Sequence, residues 1–452
     1  MDSNKEKIEY IENMIELSNK LEDVAVLLSE LHPADIAEII DNLEEGEKKK
    51  IFYLLNIEKA SDVIVKINDN SRREILSDIS GDKLTQMVDN METDDAADII
   101  GLLPDDRAEE ILEKIDKEDS IEVQKLLQYE KETAGGIMQA ELISVRENIS
   151  VEEAIKYVRS LGERTEDFHN IFVTDEQNKL VGILPLRKLI LTATDARISD
   201  VMTRDPIKVK VDVDQEEVAK IIQKYDLVSI PVTDESGTLF GRITIDDVVD
   251  VIEEETSEDF LKMAGMGEIE ELVYSSRIFK ISQKRLPWLL TNLLGGLLTG
   301  YLMWLFEVTI KDALALVTFI PVITGTGGNV GIQSSSIMVR GMAIGRIDLD
   351  NIISIIFKEM RIGAIIGLAC GSVVGLVAPF WHGNSVLGFI VGFAMFIGIT
   401  VASTMGAFIP AMFKKLNIDP AIASGPFVTT ANDITGIVIY LSIATVFLKY
   451  II

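Results

Sequence analysis

Five stretches in the last third of the chain constrain the fold more than anything else. Residues 286–306, 313–339, 362–380, 386–413 and 421–448 are each apolar over a length that crosses a ~30 Å hydrocarbon layer. The second has no Asp, Glu, Lys or Arg between Asp312 and Arg340, and the fourth has none between Trp381 and Lys414. Buried soluble cores rarely supply five such runs, so the region from about Leu286 is expected to be a five-span helical membrane domain. Lys280, Lys284 and Arg285 precede the first span. Arg340, Arg346, Lys358 and Arg361 lie between the second and third, and Lys414 and Lys415 follow the fourth. Basic residues favour the cytosolic side, so these loops and the N-terminal region are expected in the cytosol and the C-terminus outside. Residues 1–20 are charged and helical in pattern, with no apolar core or cleavage site of a signal peptide.

Charge separates the rest of the chain from this domain. Of 43 basic and 73 acidic residues, 287–452 holds only eight and seven, which leaves a formal charge near −31 on the first 286 residues. Such a field repels nucleic acid and attracts multivalent cations or basic surfaces, so no nucleic-acid partner is expected. Ordinary solubilising acidity is the alternative. Cys370 is the only cysteine, and His32, His169 and His382 are far apart in sequence. A disulfide within the chain is excluded, and a soft-metal site is disfavoured.

A twelve-residue register organises the N-terminal region: Leu31, Leu43, Leu55, Ile67, Ile79, Met91, Leu103, Ile115 and Leu127. Eight residues into each unit comes a second apolar position, Ile39, Ile51, Val63, Ile75, Met87, Ile99, Ile111 and Val123. Turn and capping residues open many units, as in His32-Pro33-Ala34-Asp35, so each reads as about two helical turns and a corner. Helices this short must stack, which predicts an all-α superhelix over residues 8–129.

From about Glu132 a strand–helix–strand–strand–helix pattern occurs twice. Extended stretches at 142–145 and 207–211 lead to helices at 151–161 and 215–225. Strands at 171–174 and 229–233 follow, then 180–184 and 239–243, and short helices at 186–191 and 245–252 close each copy. The pattern resembles a tandem pair of cystathionine-β-synthase (CBS) domains, an α/β regulatory module. The expected division is a helical-repeat domain over 1–131, the CBS pair over 132–253, a connecting helix over 254–285 and the membrane domain over 286–452.

Within the membrane domain, Asp433 is the only Asp, Glu, Lys, Arg or His between Asp419 and Lys449. A carboxylate near a span centre costs about 2.5–3.5 kcal/mol on insertion scales, so something must compensate for it. No basic residue lies deep in any expected span, which leaves a water-filled cation path or a protonated, hydrogen-bonded structural Asp. Thr429, Thr430, Asn432 and Gly436 make the surrounding face polar and narrow. Mg²⁺ dehydrates reluctantly, and a carboxylate ring accepting hydrogen bonds from its inner-shell waters suits it. The second span contains Thr324-Gly325-Thr326-Gly327-Gly328-Asn329, a poor helix interior. It reads either as irregular backbone lining a cavity or as a close helix crossing. In the third, Gly363, Gly367, Gly371 and Gly375 form a smooth packing face.

Carboxylates also recur upstream: Asp94, Asp95 and Asp98, then Glu216, Glu217 and Asp226, then Asp246, Asp247 and Asp250, and finally Glu253, Glu254, Glu255, Glu258 and Asp259. At spacings of three or four, two share a helix face and repel unless a cation bridges them. A solvated face is the alternative for any one pair.

Together, the helical repeat, the CBS pair and two membrane motifs resemble the MgtE-type magnesium transporters over essentially the whole chain. The motifs are Pro321-Val322-Ile323-Thr324-Gly325-Thr326-Gly327-Gly328-Asn329 and Asp419-Pro420-Ala421-Ile422-Ala423-Ser424-Gly425-Pro426-Phe427-Val428-Thr429-Thr430. The resemblance implies a homodimeric Mg²⁺ channel in the cytoplasmic membrane, closed by a plug helix before the first span when cytosolic Mg²⁺ binds the acidic domains. It puts the pore carboxylate on Asp433 and regulatory ligands on Asp94, Asp98, Glu216, Asp226, Asp247, Asp250, Glu255, Glu258 and Asp259. Asp95, Asp246 and Glu254 are alternatives to their neighbours. Asp419 then faces the plug helix at the cytosolic mouth, where it counts among the metal ligands, and Gly328 and Asn329 join the pore lining. CBS pairs in some proteins bind adenine nucleotides, but no residue here assigns that site. The rival readings are a transporter of another solute using Asp433 as a proton relay, and a non-transporting membrane sensor. No nucleophile–base pair or phosphate loop suggests an enzyme.

Overall fold

The computed structural model describes residues 21–44, 46–161, 168–266, 278–347 and 351–451. The chain divides into two compact units, Met1–Glu253 and Glu254–Ile452.

In the first unit the twelve-residue register becomes a run of nine short helices among the described residues, from Leu21–Glu30 to Lys117–Leu126. Residues 8–20 of the expected superhelix lie outside the described residues. Capping and burial together hold the period. His32, Asn56, Asn68, Ser80 and Asp116 each sit at a helix N-cap, where the side chain accepts a backbone N–H. Such a cap contributes typically ~1 kcal/mol. Glu92 and Pro104 hold the same position in phase without a side-chain bond. The second apolar register, Ile39 through Val123, is buried throughout, no residue of it more than 1% exposed. The first register is less uniform: Leu43, Leu55, Ile67, Ile79 and Ile115 are buried, whereas Leu127 is 39% exposed. Next-but-one packing recurs along the run, Pro33–Asn42 on Ile57–Lys66 and Ile57–Lys66 on Gly81–Val88. A two-layer stack results, and every short helix has an apolar partner.

The duplicated α/β pattern forms two small sheets. The first contains β1 (Ser144–Arg146), β2 (Asn170–Thr174), β3 (Leu180–Pro185) and β4 (Thr203–Arg204) in that order; the second contains β5 (Val209–Lys210), β6 (Ser229–Thr233) and β7 (Leu239–Thr244). In each copy the first strand is parallel to the second and the next pairing is antiparallel. A bulge recurs at Val173/Thr174 and at Val232/Thr233. The copies exchange equivalent bonds: Leu180 N–H donates to Gly237 O at 3.0 Å, and Leu239 N–H donates to Asn178 O at 3.1 Å. Asn178 and Gly237 both have positive φ, which tight turns between strands require.

The last helix of the second copy does not stop at 252 but runs unbroken as Ile245–Met263. No Gly or Pro interrupts residues 245–264, and Glu258 and Lys262 add a helix-stabilising i,i+4 pair. Gly265, at φ +70°, lies just past its end. Residues 267–277 of the expected connector lie outside the described residues.

In the second unit five helical segments are long and apolar enough to cross a membrane: Ile281–Leu305, Leu314–Ala343, Ile352–His382, Ser385–Lys415 and Pro420–Val446. The third starts ten residues earlier than its hydropathy suggested. The glycine-rich run of the second lies within one continuous helix, Ile320–Ala343, so the irregular-backbone reading is corrected. Helical geometry satisfies every backbone group inside hydrocarbon, which outweighs the roughly 1 kcal/mol cost of each glycine. The third-span stripe packs on the fourth: a Cβ at Gly363 would come within 2.6 Å of Ser403 Cβ, and one at Gly367 within 2.7 Å of Phe396 O. The fifth segment is broken at Gly425, between the short helix Pro420–Ser424 and the long helix Pro426–Val446.

Candidate ion pathway and acidic cluster

The long helix of the fifth span carries Asp433, which is partly exposed and has no ion-pair partner among the described residues. Its neighbours do not form one polar face. Thr429 Oγ1 donates to Gly425 O at 3.1 Å. Thr430 turns toward the first span, where a Cβ on Gly295 would collide with its side chain. Asn432, expected to line the pore, is only 2% exposed and presses on Gly331 of the second span, so it lies inside the protein. Neither of its amide atoms has a partner, a costly arrangement at this depth. Gly436 and Gly328 are buried, whereas Asn329 is exposed.

Ahead of this helix, Asp419 is the N-cap of Pro420–Ser424, with Oδ1 accepting from Ala421 N at 2.8 Å. Its other oxygen accepts from Lys262 Nζ at 2.7 Å, and the same ammonium reaches Glu258 at 2.6 Å. Glu255 and Asp259 stand on that same helix.

Sequence reasoning passed over a second polar group in this unit. Glu359 is 5% exposed, and its carboxylate accepts from Ser334 Oγ at 2.9 Å. Ser403 Oγ lies 2.9 Å from both Ser334 Oγ and Glu359 O, so one hydroxyl proton serves either bond. Three spans therefore meet at a small hydrogen-bonded cluster.

In the first unit the structure gathers a different set of carboxylates. Gln139 Nε2 donates to Glu92 at 2.8 Å and to Asp247 at 3.3 Å. Thr93 donates to Glu141 through both its backbone N–H, at 3.1 Å, and its hydroxyl, at 2.7 Å. Asp247 Oδ2 also accepts from Thr244 Oγ1 at 2.6 Å. Burial, then the charge of Asp247, raises Glu92 to about 7 and Asp95 to about 6. Burial also raises Asp247 to about 6, reinforced by Asp246 and Asp250 and opposed by its bonds to Thr244. Asp94 is held well above the ordinary carboxylate range by burial and by Asp247, and its buried Oδ1 has no partner. Asp98 and Asp250 are raised as well, by burial first. Glu216 and Asp226 belong elsewhere: Glu216 pairs with Lys220 at 2.9 Å, and Asp226 caps the far end of the same helix, Gln215–Tyr225. Ten residues of helix separate them by ~15 Å, so no one ion is held by both. Among the described residues no three acidic, His or Cys side chains stand close enough to form a ready-made metal site.

Family models match three segments of this chain: an MgtE intracellular N domain over 31–132, CBS domains over 134–193 and 198–254, and an MgtE divalent cation transporter domain over 320–443. The magnesium transporter MgtE of Enterococcus faecalis is 39% identical over 435 residues, covering 96% of this chain and 95% of its own length. The chain belongs to the MgtE family. The Bacillus subtilis magnesium transporter MgtE is 33% identical over 429 residues, 95% of each chain. A crystal structure of the cytosolic domain of the Mg²⁺ channel MgtE in complex with ATP aligns with 33% identity and a TM-score of 0.48, over 50% of this chain and 93% of that one. The order of a helical N-terminal domain, a CBS pair and five candidate membrane helices is that of the family, and these are transporters rather than enzymes.

Proposed function

We propose that this chain imports Mg²⁺ through the cytoplasmic membrane as a homodimeric channel that cytosolic Mg²⁺ closes. Asp433 is the pore carboxylate, and the unpaired charge it carries into the fifth span supports that role. Its ring orders the inner-shell waters of the passing ion rather than stripping them. With the N-terminal domains in the cytosol, five spans leave the C-terminus outside.

The cluster of Glu92, Asp94, Asp95, Asp98, Asp247 and Asp250 is the sensor. Without a cation these carboxylates repel one another, and a bound ion makes the compact arrangement favourable; that difference in affinity is what shifts the population. Glu255, Glu258 and Asp259 extend the acidic set along the connector, and Glu216 and Asp226 add separate ion contacts. One observation carries the gating part: the helix that bears Asp247 near its start bears Lys262 near its end, and Lys262 is bonded to Asp419, immediately ahead of the fifth span. Transport is tested by Mg²⁺ uptake into vesicles containing Asp433→Ala. Loss of uptake is expected, and uptake at the unmodified rate rejects the pore assignment.

A further inference from the structure

The end of the Ile245–Met263 helix is seated on the break in the fifth span by two kinds of contact. The first is ionic. Lys262 Nζ lies 2.7 Å from Asp419 Oδ2 and 2.6 Å from Glu258 Oε1, and all three side chains are less than a third exposed. Burial works against the ammonium charge, but the hydrogen bonds it donates to the two carboxylates outweigh it and raise the Lys262 pKa. The second is steric. Gly265, in the left-handed region, lies so near that a Cβ there would be 3.3 Å from the Pro426 ring, and a Cβ on Gly425 would be 3.0 Å from Met263 O. Gly425 is where the backbone kinks between the two helices of the span. Asp433 is eight residues further on, ~12 Å along the helix.

Both carboxylates expected to bind a metal ion at this mouth, Glu258 and Asp419, thus already share one tethered cation, which offsets one of their two negative charges. We propose that Lys262 is the built-in cation of the gate: it holds the connector on the mouth without Mg²⁺, and a divalent ion at Asp419 must displace it. This rests on the reading that the connector closes the pore. Closure then has two layers, a weak one set by the lysine and a stronger one set by the cytosolic ion. The lysine layer is modest because a partly exposed ion pair changes an equilibrium by a factor of a few.

The test is single-channel recording of the full-length protein in lipid bilayers, with and without cytosolic Mg²⁺. Closed intervals in nominally zero Mg²⁺ are expected to shorten about threefold in Lys262→Met, the size of effect a partly exposed pair supports, and Lys262→Arg is expected to restore them. Asp419→Asn keeps an N-cap side chain but breaks the pair from the other side, so it should shorten the same intervals, and Lys262→Met added to it should do nothing more. Closed intervals unchanged by Lys262→Met, or effects of the two substitutions that simply add, overturn the proposal. If Lys262→Met yields no conducting protein, Asp419→Asn decides alone, and unchanged intervals in it likewise overturn the proposal. Closure by Mg²⁺ in the unmodified chain is read separately, so its failure rejects Mg²⁺ gating without touching the lysine measurement.

Discussion

Gly331 of the second span and Asn432 of the fifth touch so closely that no side chain can stand between them. On its other face Gly331 presents its carbonyl to Gly406 of the fourth span. One glycine thus sets the separation of three membrane helices, one of which carries Asp433.

Gly331→Ala is accordingly expected to destabilise the protein by about 1–3 kcal/mol, the usual cost of overpacking a closed core. Asn432→Ala removes the obstructing amide and should recover much of the loss in the double variant. Thermal unfolding of the detergent-solubilised protein checks both. Losses that add would mean the two residues do not share one contact.

The period of twelve and its capping residues were legible because they are local. A cap needs only its own helix, and a core position only its phase, so His32 at the head of His32-Pro33-Ala34-Asp35 announced the stack it begins. CBS duplication was legible for the same reason. Glu359 was not legible: it lies between Lys358 and Arg361, and hydropathy assigns such a segment to a loop. The helix nevertheless starts at Ile352 and buries it against Ser334 and Ser403, one turn before the glycine stripe that brings the fourth span near. Lys262 was hidden differently, because a Glu four residues before a Lys is commonplace on helices, and its second partner is 157 residues away. Asn432 was placed with Asp433 by adjacency in sequence, whereas consecutive helical residues point apart and the position of the second span decides which of them is buried.

The acidic cluster predicts an unusual pH dependence of stability. Glu92 at about 7, and Asp95 and Asp247 at about 6, lie above their ordinary values, so the folded state binds more protons than the unfolded state between roughly pH 4 and 7. Stability contributed by these groups is therefore greatest at the acidic end and is lost as pH rises through that window. The carboxyls lowered on folding, such as Asp78 and Asp234, act in the opposite sense but only nearer pH 4 and below. In metal-free buffer the melting temperature of the full chain should be higher at pH 5 than at pH 7.5, and excess Mg²⁺ should remove the difference by raising the value at pH 7.5. A metal-free profile that rises across this range would contradict the clustering.

Asp94→Asn addresses the same cluster without changing pH. Removing one charge from a group whose neighbours repel it should raise the metal-free melting temperature by about 2–4 °C, the shift that ~1 kcal/mol produces in a domain of this size. The further rise on adding Mg²⁺ should shrink. Calorimetric titration with Mg²⁺ should show weaker binding. A variant less stable without metal, yet stabilised by Mg²⁺ as before, would place Asp94 outside the sensor.

The proposed function couples an acidic sensor in the first 253 residues to a pore in the remainder. Mg²⁺ flux through reconstituted vesicles, with the concentration on the cytosolic face raised from zero to tens of millimolar, tests it most directly when the intact chain is compared with one lacking residues 1–130. Flux through the intact chain should fall as that concentration rises, while the shortened chain keeps conducting. Equal closure of the two, or flux through the intact chain that ignores cytosolic Mg²⁺, would contradict the account.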